Sequence, residues 1–343
     1  MDFAYGPGRN HLFVPGNNEN HRTPAITALT KTLLDDVKKI FKTTSRIPFL
    51  IPTTVYFLIG QFSLLWIEQQ KCLNFKIDVV ESEWGQGVDL DALESKLASD
   101  KTHTIKAICI VHNETTTCNI IDFKYKYQHP SLIIVDAVSS IGALDFRMDE
   151  WGVDVVVTSS QKALSLSTGM GIVCAGPKAI EASKSATSLR SFFDWNGYLK
   201  CYNLGTYWPY TPSIQLLYGL RAALDLVFEE GFENVILRHK LVVEWYSASV
   251  TAIVGPPNID SGEIVSRAWK RCNLSLGGGL NKVAGKVFRI GHVGHLNELQ
   301  LLGCLAGVEM TLKDVGYPVQ LGSGVAAASA YLLNNVPIIP SRI

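Results

Sequence analysis

The 343-residue sequence has no charge surplus of either sign: lysine and arginine together number 31, aspartate and glutamate also 31. A balanced chain offers no basic footprint for nucleic acid or for an anionic membrane. Its seven cysteines (Cys72, Cys109, Cys118, Cys174, Cys201, Cys272 and Cys304) include no C-x-x-C pair, and the number is odd. Most sit in apolar runs, so reduced, buried thiols in an intracellular compartment are expected rather than a disulfide framework. Metal-ligand spacing is missing from the histidines; His292 and His295 are three apart but lie in a glycine-broken segment, which disfavours zinc. No G-x-S-x-G elbow supports a serine hydrolase. Gly277-Gly278-Gly279 lacks the Gly-Lys-Ser/Thr ending of a phosphate loop and reads as a turn. Met1-Asp2-Phe3-Ala4-Tyr5-Gly6-Pro7 has neither a basic start nor an apolar centre, so no secretory signal is expected.

One stretch invites a membrane reading. Residues 48–67 carry no charge and are 20 long, enough to cross a bilayer. Pro48, Pro52, Thr53, Thr54, Gln61 and Ser63 interrupt any single helix there. Two buried strands joined end to end are expected instead, with no membrane span.

The hydrophobic content of 47% excludes a disordered protein, and the length allows two domains with sizeable cores. An irregular arm is expected over residues 1–20, a large domain over 21–240 and a small C-terminal α+β domain over 241–343. Residues 23–41 have helical spacing, with Ile26, Leu29, Leu33 and Val37 on one face. Apolar runs at 57–59, 105–111, 132–135 and 153–157 lack the alternation of a half-exposed strand. They predict strands buried on both faces, hence an α/β fold with a mostly parallel central sheet. A helix is predicted over 214–228, ending at Gly231. Further on, strands are expected at 250–254 and 286–290, then a helix with Leu299, Leu302, Leu305, Val308 and Leu312 on one side.

Two residues closing apolar runs carry the chemistry. Asp136 ends Ser131-Leu-Ile-Ile-Val-Asp136, and Lys162 follows Val155-Val-Val-Thr-Ser-Ser-Gln161. An acid at one strand end and a lysine at the next is the arrangement that holds pyridoxal 5′-phosphate. The lysine bonds the aldehyde as a Schiff base, and the carboxylate keeps the pyridine nitrogen protonated so that the ring absorbs electrons. Taken singly, Lys162 also reads as a surface lysine on a strand-to-helix turn and Asp136 as a helix N-cap. Together they favour an enzyme. Buried, the lysine amine has its pKa lowered and stays nucleophilic near neutrality.

The segments Phe13-Val14-Pro15-Gly16, Ile110-Val-His-Asn-Glu-Thr115, Val135-Asp136-Ala-Val-Ser-Ser140, Ser160-Gln161-Lys162-Ala163-Leu164 and Phe288-Arg289-Ile290-Gly291 resemble the alanine/serine–glyoxylate aminotransferases. These are class-V, fold-type I enzymes dependent on pyridoxal phosphate, and the plant peroxisomal members look closest. The resemblance implies transfer of an amino group from serine or alanine to glyoxylate, giving glycine with hydroxypyruvate or pyruvate, as in photorespiration. A homodimer with active sites at the subunit interface is also implied. Lys162 then becomes the Schiff-base lysine, Gln161 a cofactor neighbour and Asp136 the partner of the pyridine nitrogen. Thr115 matches a hydroxyl residue beside cofactor and substrate, although a threonine in a loop after a strand reads as blandly. Arg289 matches the arginine that grips the substrate carboxylate; burying it inside Val287-Phe288-Arg289-Ile290 is costly without a partner. Tyr207 and Thr211, in Tyr207-Trp-Pro-Tyr-Thr-Pro212, resemble the stretch reaching a neighbouring subunit's cofactor phosphate, with the choice of tyrosine open. Thr54 falls at the cofactor-phosphate turn. Ser341-Arg342-Ile343 resembles the Ser-Lys-Leu type of peroxisomal address, which implies an import receptor as partner.

The sequence also departs from that pattern. Asn17-Asn18-Glu19 follows Gly16 directly, where the family has a proline-rich stretch and a helix. After Pro52-Thr53-Thr54 the family has a glycine/threonine turn opening a helix; here Val55-Tyr56-Phe57 follows. Smaller gaps are expected after Thr117-Cys118 and near Leu241-Val242-Val243, and Ser159 and Ser167 replace a glycine and a proline. The N-terminus of a helix binds phosphate through free amides and the helix dipole, so loss of the turn weakens that site. The alternative is therefore a weakly active or non-catalytic relative, dimerising with an intact paralogue. A cysteine desulfurase is the other enzymatic reading and would need Cys304 to face the cofactor.

Overall fold

A computed structural model describes residues 23–50, 60–116, 119–120, 129–187, 190–242 and 247–335. The N-terminal arm, Thr54, the 57–59 run and Ser341-Arg342-Ile343 lie outside the described residues. In chain order the elements are α1 (Pro24–Ile40), β1 (Ile47–Leu50), α2 (Gln61–Cys72), α3 (Leu90–Ser99), β2 (Ala107–Val111), β3 (Asn113–Glu114), β4 (Asn119–Ile120), β5 (Leu132–Asp136), β6 (Val155–Ser159) and β7 (Gly171–Ala175). There follow α4 (Pro177–Lys184), α5 (Trp195–Asn203), α6 (Ile214–Glu230), α7 (Phe232–Val242), β8 (Val250–Val254), α8 (Ser261–Cys272), β9 (Gly277–Gly278), β10 (Val287–Gly291), α9 (Glu298–Asp314) and α10 (Ser323–Asn335).

The larger sheet has the order β1-β7-β6-β5-β2. β2, β5 and β6 pair in parallel, while β7 runs antiparallel to both β6 and β1. Four of its five strands therefore share one direction, as a mostly parallel sheet requires. Both faces are covered. Ile108, Ile110, Val135, Val156, Ile172 and Cys174 pack with α1 and α6, through residues such as Leu33, Val37, Leu217 and Leu220. The opposite face packs Val155, Val157 and Val173 against Ala179 and Tyr198, and Cys109 and Val111 against Trp66. Burial on two faces is why these strands read as unbroken apolar runs rather than alternating ones.

α1 starts where Thr23 accepts the Ile26 N–H (3.4 Å) and Pro24 occupies the first turn, and Lys38 and Lys39 sit in its last turn. Two strands end to end were expected over residues 48–67; β1 covers the start of that stretch, and from Gln61 the chain forms α2 instead, with Ser63, Trp66 and Ile67 on its buried side. Among the described residues no helix is long and apolar enough to cross a membrane. Trp66 is fully buried under β2. Trp66→Ala is expected to destabilise the protein by about 3–5 kcal/mol, read as a lowered urea midpoint at unchanged slope.

β8, β10 and β9 form a separate antiparallel sheet in the order β8-β10-β9. Phe288 and Ile290 point into a core shared with Ile264 and Ala268 of α8 and Val308 of α9. α9 opens with a reciprocal cap in which Asn297 and Gln300 each accept the other's backbone N–H (2.9 Å both).

Candidate active site

Asp136 is the last residue of β5, an inner strand between β2 and β6, so it stands where the C-termini of three parallel strands meet. Its Oδ1 accepts the Val138 N–H (2.8 Å), which turns the chain away from the sheet. Burial pushes the Asp136 carboxyl up to about 7; the Val138 N–H opposes that shift, the Glu114 charge adds to it and the Lys162 charge opposes it. A carboxyl in this position is set to receive a cation.

Lys162 lies three residues past β6, in a tight turn. Ser165 N–H donates to Lys162 O (2.9 Å), Leu166 N–H to Ser160 O (3.1 Å) and Ser160 Oγ to Ser167 O (2.7 Å). Buried Ala163 and Leu164 anchor the turn below. Gly142, with φ of 87°, lets the post-β5 segment approach Ala163; a Cβ there would sit 2.9 Å from the Ala163 methyl. Burial lowers the Lys162 pKa, the Arg289 charge lowers it further and Asp136 opposes both. Carboxyl and guanidinium thus both act on the amine, in opposite directions.

Arg289 comes from β10, distant in sequence. Its Nε donates to Gly278 O (3.0 Å) and its Nη1 to Thr115 O (3.1 Å). Thr115 Oγ1 in turn donates to Ser139 Oγ (2.9 Å), just beyond Asp136. Asn113 ties the same corner together, with Nδ2 donating to Ser139 O, Ser139 Oγ and Ser249 Oγ. The structure therefore brings Asp136, Lys162, Thr115 and Arg289 to one place. Gln161 is exposed beside Lys162.

Tyr207 and Thr211 have other surroundings. Tyr207 packs edge-on against Tyr202 of α5 (5.7 Å between centroids), and Thr211 is exposed. Cys304 packs into the apolar core of the smaller sheet, where burial pushes its thiol up to about 11, so it does not serve as a mobile nucleophile. His292 faces Thr251 (3.0 Å), and no metal-holding cluster occurs among the described residues.

Sequence reading did not single out three features. Fully buried Glu114 accepts Ser63 Oγ–H (3.2 Å) and the Thr116 N–H (3.1 Å), and takes the Ser63 N–H (3.5 Å) at the first turn of α2. Burial raises its pKa. It stands inside the Ile110–Thr115 motif, which was the available signal. The second is the Asn113–Ser139–Ser249 cluster. The third lies behind the lysine turn. Gly294 donates its N–H to His239 Nε2 (3.0 Å) and accepts from Arg238 Nη1 (2.9 Å), and a Cβ there would collide with Ser165 Oγ. His239 Nδ1–H donates to Val235 O (2.7 Å), so the ring is neutral, and burial pushes its pKa down to about 4.

Serine–glyoxylate aminotransferase from Arabidopsis thaliana is 64% identical to the chain, over all of both chains. That alignment runs over 401 positions against 343 residues, so 58 of them face a gap in this chain. The enzyme of the same description from Methylorubrum extorquens is 43% identical, covering 96% of this chain and 97% of its own length. Among solved structures, ureidoglycine–glyoxylate aminotransferase from Bacillus subtilis superposes with a TM-score of 0.83 at 23% identity, covering 95% of this chain and 94% of its own, which shows the fold. The model of aminotransferase class V matches residues 59–263, from before α2 into α8 and across both strand tips, and the chain belongs to that family.

Proposed function

We propose that the chain is a pyridoxal-phosphate-dependent aminotransferase that moves an amino group from serine or alanine to glyoxylate. The products are glycine and hydroxypyruvate or pyruvate. One observation carries this reading: the buried Asp136 carboxyl ends β5 and the half-buried Lys162 amine follows the adjacent β6, while Arg289 is bonded to Thr115, which reaches Ser139 just beyond Asp136. Class-V membership implies the cofactor, and the chain offers a fit for it. Asp136 is raised by burial and suits a ring cation, and Lys162 is lowered and suits an aldehyde. Ser140 Oγ and Ser159 Oγ, beside those two residues in sequence, are buried polar atoms without a hydrogen-bond partner.

Bound there, the cofactor supplies an electron sink for the charge left when substrate Cα loses its proton. Asp136 holds the ring nitrogen protonated. Lys162 would be the residue that anchors the cofactor, and its amine, once displaced by the substrate amine, would carry the proton to and from Cα. Arg289 receives the substrate carboxylate in its guanidinium fork and orients Cα. Thr115 contributes a hydroxyl beside the ring and the substrate. Gln161 and Thr54 serve the cofactor, and half-buried Tyr207 and exposed Thr211 reach the cofactor phosphate of a second copy in a homodimer. Ser341-Arg342-Ile343 is read as the address bound by a peroxisomal import receptor, placing the enzyme in the peroxisome. Similarity to a plant serine–glyoxylate enzyme supports that reading.

A relative that lost its chemistry is not favoured by 64% identity over the whole of both chains. Purified protein given pyridoxal phosphate is expected to show a visible band that borohydride abolishes. It should form glycine from glyoxylate with serine or alanine as donor. No band and no glycine would overturn the proposal.

A further inference from the structure

The strand beside Arg289 carries no side chains. β9 is Gly277–Gly278, Gly279 follows, and Gly277 stands directly opposite Arg289 in the β9–β10 ladder. The three glycines answer to different neighbours. A Cβ at Gly279 would collide with the Val283 carbonyl, so backbone packing requires glycine there. A Cβ at Gly278 would meet nothing within 4 Å. At Gly277 the three nearest atoms all belong to Arg289: Cβ and Nε at 3.3 Å and Nη2 at 3.5 Å. Gly277 does not have a positive φ, so its own backbone does not call for glycine. In a strand such a position ordinarily favours a β-branched residue.

We infer that Gly277 is a positioning residue for Arg289. Its missing side chain lets the guanidinium lie along β9, with Nε donating to Gly278 O and Nη1 to Thr115 O, and so fixes where a carboxylate is received. The substrate half of this inference rests on the aminotransferase reading. A methyl group at 277 pushes Nε and Nη2 away from β9 and strains the Nε–H···O bond to Gly278. Amino donor and 2-oxo acid both present an α-carboxylate, so both are affected alike.

The test is the series Gly277→Ala and Gly277→Val in the full-length, cofactor-loaded protein, with Gly291→Ala and Gly291→Val as controls. Gly291 ends β10, and a Cβ there has nothing within 4 Å. Michaelis constants for serine and glyoxylate are expected to rise together, about threefold in Gly277→Ala and about tenfold or more in Gly277→Val. The turnover number should stay within about twofold, the pattern of lost uniform binding. The Gly291 variants should match the parent. In parallel, the ¹⁵Nε–H resonance of Arg289, assigned by its loss in Arg289→Lys, should move in the Gly277 variants only. That signal does not depend on turnover. Unchanged Michaelis constants with an unmoved resonance would overturn the inference, as would equal effects in the Gly291 variants. A resonance that moves in a parent protein without transaminase activity would support the positioning of Arg289 and remove the aminotransferase reading instead.

Discussion

Lys162→Ala is expected to lower transamination by about 10⁴-fold or more, because one substitution removes both the cofactor's covalent anchor and the positioned proton carrier. The geometry gives no substitute. The turn from Ser160 to Ser167 is closed by its own backbone hydrogen bonds, so a neighbouring amine cannot move into place. Arg289, the cation that acts on Lys162, stays charged at any working pH and cannot shuttle a proton. The variant should keep the parent's unfolding free energy in urea to within about 1 kcal/mol, since a half-buried amine with a lowered pKa contributes little to stability. Mass spectrometry after borohydride should find the cofactor on the parent and not on the variant. Near-parental turnover in Lys162→Ala would show that the amine has been misassigned.

Asp136→Asn should separate stability from catalysis. Without its charge the ring nitrogen is no longer held protonated, and turnover is expected to fall about 10²–10³-fold, the scale of losing one preorganised electrostatic partner. Stability should move the other way in protein freed of cofactor. Burial raises the folded carboxyl from 3.8 to about 7, so between those values the native state binds more protons than the unfolded chain. This group therefore favours the fold fully below about pH 4. That contribution is lost as pH rises through about 7, by an amount on the order of 4 kcal/mol. The groups facing it are the Val138 N–H and Lys162, which favour the charged form, and Glu114, which opposes it. Asparagine keeps an oxygen for the Val138 N–H and buries no charge. Cofactor-free Asp136→Asn should accordingly be more stable than the parent at pH 8 and equal to it near pH 4, by urea unfolding. A variant less stable at pH 8 would mean that the carboxyl is not desolvated.

Much of this was legible before any coordinates. β8 falls at residues 250–254 as expected, and α1, β2, β5 and α6 fall within a few residues of expectation, because long apolar faces bounded by caps and charges leave few alternatives. α2 was missed. Phe62, Leu64, Leu65, Trp66 and Ile67 form a nearly continuous apolar run, and such a run has no period that distinguishes a buried helix from a buried strand. β7 was not anticipated either; it runs antiparallel to β6 because the segment between them is too short for a parallel crossover. Asp136 and Lys162 were readable because strand ends are readable. Arg289 was readable as a costly arginine in an apolar strand, but its bonds to Thr115 and Gly278 join residues far apart and leave no mark on local sequence. Glu114 escaped notice because a buried carboxyl and an exposed one are spelled alike.

Gly294 has a wider bearing than its size suggests. It is held by Arg238 and His239, and a Cβ on it would collide with Ser165 Oγ and stand 3.5 Å from the Lys162 carbonyl oxygen. Any side chain at 294 would therefore have to displace the turn that carries the lysine, and the smallest residue there lets the two loops close on each other.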